Sequence, residues 1–193
     1  MPANAPQVTD ERDGLLGFLA QQRLVLRVAA HGLTDEQARL APTASSLTIG
    51  GLVKHVATAE RVWIGRIVNR RPLPRDEAIR AYEDNFRLGP NETLEEVLDL
   101  YAKVAKETEA AVAGVADLGQ AVPVPPDASW AGEVTSWSVR WILLHLIEET
   151  ARHAGHADIV RESLDGATAL PLLAAVENWP PSPWIEPWAP TAN

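Results

Sequence analysis

Apolar residues recur every three to four positions in four stretches of this chain, with glycine or proline between them, which predicts four long helices. The first runs from about Asp10 to Ala30, with Leu15, Phe18, Leu19, Leu26 and Ala29 on one stripe and Gly32 placed to stop it. Thr34-Asp35-Glu36-Gln37 has the form of a capping box opening a short helical turn. The second long helix is expected over about Thr48 to Val68, with Leu52, Val56, Ala59, Val62 and Trp63 as its apolar set. A third opens at a second capping box, Thr93-Leu94-Glu95-Glu96, and carries Leu94, Val97, Leu98, Tyr101, Val104 and Ala105 on one face. The fourth runs from about Ser138 to Leu164 and ends at Gly166.

Two long connections separate these helices. One is the polar stretch Arg70 to Pro90, with Pro72, Pro74 and Pro90; the other is Gly114 to Asp127, with Pro123, Pro125 and Pro126. No segment reads convincingly as a strand, so the expected fold class is all-α, a four-helix bundle with long crossover connections. The bundle domain should cover residues 10–166, after a flexible N-terminus at 1–9. Residues 167–193 form a Trp/Pro-rich tail, with Trp179, Trp184 and Trp188, expected to pack across the bundle.

A length of 193 residues with 46% hydrophobic residues suits one domain with one buried core. No run approaches the ~18 apolar residues of a membrane span, so no membrane partner is expected. The polar start of the chain lacks the features of a secretory signal, which makes the cytoplasm the expected location. A formal charge of −9 argues against a nucleic-acid partner, whose phosphates favour a basic face. The absence of cysteine changes the picture most. It removes disulfides, thiolate ligands and a protein-borne thiol nucleophile, so any thiol chemistry needs a thiol from outside.

Placed on a wheel at about 100° per residue, the fourth helix puts Ile142, Leu146 and Val160 on one face. His145, Glu149, His153 and His156 fall in the same arc. A carboxylate inside an apolar stripe is costly unless it is paired or bound to a metal. Glu149 and His153, four residues apart, leave the helix side by side. On the second helix His55 lies among Leu52, Ala59 and Val62. Bundles build metal sites from such groups on facing helices, and one carboxylate with two imidazoles leaves a position for water or substrate. Taken singly, each has a plainer reading, as a satisfied core histidine or a weak surface ion pair. His31, beside Gly32, reads as a favourable cation at a helix C-terminus, and Glu148 with Arg152 as an ordinary helix pair. Trp63, Trp137 and Trp141 are near enough in sequence to the three candidate ligands to line a ligand-binding pocket.

Residues 46–56, SLTIGGLVKHV, resemble the second-helix signature of the DinB-like superfamily of metal-binding four-helix bundles. The stretch from His145, HLIEETARHAGHADIVRE, resembles the fourth-helix signature of its actinobacterial, mycothiol-dependent branch, which holds S-transferases and maleylpyruvate isomerases. The resemblance spans roughly Asp10 to Leu164. By it, His55 takes the place of the second-helix metal ligand, and Glu149 and His153 the places of the two fourth-helix ligands. A glutamate at 149, where many members have histidine, is similar to the mycothiol-dependent subgroup. His156 matches a signature histidine that is not a ligand, in a catalytic role orienting a bound water or thiol. The isomerases carry an additional C-terminal domain where this chain has its tail, so the resemblance favours a stand-alone transferase.

The resemblance therefore implies a divalent-metal-dependent thiol S-transferase. Zn²⁺ is the first choice of metal, with Ni²⁺, Fe²⁺ or Mn²⁺ as alternatives. Mycothiol would be the thiol co-substrate and a small electrophile the acceptor, in detoxification. Two other readings stay open: a metal-dependent hydrolase that activates water, and a non-catalytic metal- or ligand-binding bundle that dimerises. A homodimer is the general expectation for a soluble oligomer.

Overall fold

The computed structural model describes residues 4–69, 86–124 and 131–190. In chain order the elements are α1 (Glu11–Ala29), α2 (Asp35–Ala38), α3 (Ile49–Asn69), α4 (Leu94–Ala113), β1 (Ala121–Pro123), β2 (Ser136–Ser138), α5 (Val139–Asp165) and α6 (Ala169–Val176). The four long helices make the bundle expected of the sequence. α1 packs chiefly on α5 and α3 on α4, with the α3–α5 seam between them. Most of the first long connection, with Pro72 and Pro74, lies outside the described residues, as do Pro125 and Pro126 of the second.

The helix ends follow local chemistry. Thr34 and Gln37 exchange both bonds of the capping box at α2, and Thr93 and Glu96 do the same at α4. The Ser138 hydroxyl accepts from the Trp141 N–H at the start of α5. Gly166 ends that helix at φ 76°, a left-handed cap that a residue with a Cβ adopts at a cost. The stripe of α1 departs from expectation at Phe18, which is 51% exposed.

Two apolar clusters fill the bundle. One joins Leu26, Leu52, Val56, Tyr101, Ala154 and Val160; the other joins Leu19, Ile64, Val112, Trp137, Ile142 and Leu146. Between them every long helix contributes a buried polar residue: Arg23, Glu60, Thr108 and Thr150. Arg23 donates to both Glu60 oxygens, at 3.1 and 2.5 Å, and the Thr108 hydroxyl also donates to Glu60. Glu149 directly precedes Thr150 of this layer on α5, and His55 stands five residues before Glu60 on α3.

The sequence suggested no strand, yet β1 and β2 pair antiparallel, with Val122 opposite Trp137. Three residues are too few for a period of two to register, and this ribbon is held by the helix ends it joins. Val139 N–H and Arg140 N–H donate to Gln120 and Leu118 carbonyls just before it.

Beyond α5, α6 buries Leu172 and Ala174, and Leu172 packs with Val28 of α1. The chain then returns so that Trp188 N–H donates to the Pro171 carbonyl at 2.9 Å. The Trp188 ring meets His31 edge-on at 5.6 Å and lies 4.9 Å from the Arg161 guanidinium. Arg161 is fully buried and donates to the Ala29 and His31 carbonyls at 2.8 and 2.7 Å, closing the end of α1. Gly32 has φ 73°, and a Cβ there would come within 2.5 Å of the Trp188 ring. Gly32→Ala should therefore cost at least about 1–2 kcal/mol, measured by urea denaturation.

His31 departs from the sequence-based expectation of a cation. Burial, aided by the neighbouring Arg161, lowers its pKa below the ordinary histidine value of about 6.5. The unfolded chain then binds this proton more readily than the native one, so the associated stability is full above about pH 6.5 and falls as the pH drops below it. Wild type should lose stability relative to His31→Asn between about pH 7 and pH 5, a difference read from paired denaturation curves.

Candidate metal centre

The second turn of α3 directs His55 inward because Leu52, Val56 and Ala59 take the positions around it in the α3 interface. On α5, Leu146, Thr150, Ala154 and Ala157 bury one side and bring Glu149 and His153 to the seam with α3. His55 Nε2 lies 3.0 Å from Glu149 Oε1, and His153 Nε2 lies 3.3 Å from the same oxygen. One ligand atom from each of the three residues lies within 4.8 Å of the other two. The two imidazole side chains are 8% and 10% exposed and the carboxylate 28%, so solvent reaches the group from the Glu149 side.

Hydrogen bonding from His153, then from His55, holds the Glu149 carboxyl far below the usual carboxylate range, against the opposing effect of burial. An ionised carboxylate and two imidazole nitrogens are the donor set of a three-ligand catalytic zinc site. Around a four-coordinate ion with bonds of about 2.0–2.1 Å, ligand atoms lie roughly 3.3 Å apart. The two separations at Glu149 lie at and just below that value, so the residues fit a divalent ion. Among the described residues these three form the group of histidines and acids close enough to share one.

The other candidates fall on either side. His145, in the same arc of α5, stacks on Trp141 at 5.2 Å and meets Trp63 edge-on at 4.9 Å. Trp63, Trp137 and Trp141 form one cluster, with Trp137 and Trp141 stacked at 5.4 Å and the Arg66 guanidinium 4.4 Å from the Trp63 ring. On α5, His145 stands about one turn and Trp141 about two turns before Glu149. His156 is exposed, and its Nδ1 lies 3.4 Å from His153 Nδ1, the nitrogen turned away from Glu149. It thus sits behind a candidate ligand, where it can fix that ring's tautomer.

Phe86 was not among the sequence candidates. Its ring stacks on His55 at 3.9 Å with a 19° tilt and lies 5.8 Å from that of His153. It belongs to a polar connection without periodicity, so nothing in the local pattern marked it.

The model of the Mycothiol-S-transferase family matches residues 14–166, a span that holds all three candidate ligands and three of the four long helices in full. The chain belongs to the mycothiol S-transferase family. No curated protein matches it. Among solved structures, a conserved protein from Enterococcus faecalis is similar with a TM-score of 0.59 and 14% identity, over 83% of this chain and 100% of that one. That likeness shows the fold alone. In this mycothiol S-transferase family member, no helix among the described residues is long and apolar enough to cross a membrane.

Proposed function

We propose that this protein is a divalent-metal-dependent thiol S-transferase that joins mycothiol to a small electrophile, in detoxification. The observation that supports it most is the convergence of His55, Glu149 and His153 in a chain without cysteine. A divalent ion held by these three groups would supply a Lewis acid that favours the thiolate form of a small thiol at neutral pH. Zn²⁺ suits the two nitrogens and one oxygen. The choice of mycothiol rests on the family.

The chain's own residues divide the work. Glu149 stays ionised and brings one negative charge to the centre. With a metal bound, His153 would carry its proton on Nδ1, within reach of His156 Nδ1, and present its Nε2 lone pair to the ion in place of the Nε2–H that meets Glu149 without one, which makes His156 a positioning residue. Trp63, Trp137 and Trp141 provide an aromatic wall for the apolar part of a bound substrate. Trp141, 40% exposed, is the most accessible of the three. Trp141→Ala should raise KM about fivefold with a smaller change in kcat, measured by steady-state kinetics, since an aromatic contact is worth about 1 kcal/mol.

The function is tested by following zinc-loaded protein with monobromobimane, with and without mycothiol. Conjugate formation above the uncatalysed rate, proportional to enzyme and dependent on mycothiol, is the expected result. Loss of an electrophile without thiol would indicate a hydrolase instead. Bound metal without any turnover would indicate a binding module.

A further inference from the structure

We infer that Phe86 is a positioning residue of the metal centre, holding His55 by ring stacking as His156 holds His153 by a hydrogen bond. The inference rests on the metal reading above and assigns a role to the segment that leads into α4.

A metal-binding imidazole is ordinarily oriented by a partner on its second nitrogen, usually a carboxylate or carbonyl. His153 has such a partner in His156. His55 does not: its Nδ1 is buried and meets no hydrogen-bond partner among the described residues. The ring is instead covered face-on by Phe86. Stacking fixes the plane of the imidazole, and with it the direction of Nε2 toward Glu149. Phe86 also shields that side of the imidazole from water.

The segment that carries Phe86 is strapped to the bundle in a way that serves this contact. Lys54, next to His55, donates to Glu92 Oε2 at 2.7 Å and to the Arg87 carbonyl at 3.3 Å. The same Glu92 oxygen accepts from Gly89 N–H at 2.6 Å, and Arg39 donates to the Gly89 and Glu92 carbonyls. Leu88 is buried against Gly50. At Gly51 the Phe86 backbone comes so near that a Cβ would overlap its carbonyl group. Gly51 therefore sets the depth at which Phe86 sits, four residues before the ligand it covers. Gly51 stands in the first turn of α3, its N–H donating to the Thr48 hydroxyl, and this close approach gives a reason for glycine there.

Three variants separate stacking from fold. Phe86→Ala removes the ring, Phe86→Tyr keeps it, and Gly51→Ala pushes the segment away without touching either ring. Zn²⁺ affinity of each full-length protein is read by competition with a chelator. The visible spectrum of the Co²⁺-substituted form reports the ligand geometry, and circular dichroism confirms that the bundle is intact. Phe86→Ala and Gly51→Ala should weaken Zn²⁺ binding about 10-fold or more, the low end of the effect of losing an outer partner, and should alter the Co²⁺ spectrum. Phe86→Tyr should match wild type in both. Should Phe86→Ala bind Zn²⁺ within twofold of wild type with an unchanged Co²⁺ spectrum, the role of Phe86 is overturned while the metal centre stands. A wild type that binds neither ion overturns the centre and this role together.

Discussion

Replacing any one of His55, Glu149 and His153 by alanine is expected to weaken Zn²⁺ binding by more than about a hundredfold and to remove thiol transfer. Loss of an outer partner alone costs 10–100-fold in affinity, and loss of a direct ligand exceeds that. The three residues come from two helices, and two of them meet at one oxygen, Glu149 Oε1. Removing that carboxylate leaves two imidazoles that no longer share an anion between them. Glu149→Gln is the sharper variant, because it keeps the shape of the side chain and removes only its charge. It should lose nearly as much affinity as Glu149→Ala. Isothermal titration or chelator competition reads the metal, and the bimane assay reads the transfer. A Glu149→Gln protein with wild-type affinity would show that the carboxylate is a hydrogen-bond acceptor and not a ligand.

The largest effect on stability is expected at Glu60. Its side chain is fully buried and accepts from Arg23 and Thr108, while Arg23 is 5% exposed. Glu60→Ala strands a buried guanidinium, and breaking a buried pair from one side costs about 3–5 kcal/mol. Glu109 lies 3.6 Å from Arg23 but is largely exposed, so it offsets little of this loss. Replacing both partners with apolar residues of similar volume, Arg23→Met with Glu60→Leu, should cost much less than Glu60→Ala. Urea denaturation of the single and double variants checks this. A Glu60→Ala protein within about 1 kcal/mol of wild type would contradict the buried-pair assignment.

The four long helices were legible in the sequence because each carries several turns of periodic apolar residues and a local stop or cap. Thr34, Thr93, Ser138 and Gly166 act within a few residues of themselves, so their roles need no tertiary information. The candidate centre was legible for a related reason. His55, Glu149 and His153 are ionisable residues in apolar stripes, and the fold brings those stripes together.

The same reasoning applied to Arg23 and Glu60 would have found the polar layer. Arg23 lies between Leu19 and Leu26 on α1, and Glu60 follows Val53, Val56 and Ala57 on α3. Phe86, β1 and β2 are different. Each is defined by contact with something distant in sequence: Phe86 by His55, Val122 by Trp137. No local period carries that information. His156 stands behind His153 for a geometric reason. Three residues beyond His153 is close enough to share an arc of the helix, yet far enough round for the side chain to reach solvent.

The most direct test of metal-dependent thiol transfer is the rate of bimane–mycothiol conjugation in one sample, before chelation, after exhaustive removal of metal, and after adding back one equivalent of Zn²⁺. Loss of the enzymatic rate on chelation and its return with the added ion is the expected result. An unchanged rate in the stripped protein, confirmed metal-free by elemental analysis, would contradict it.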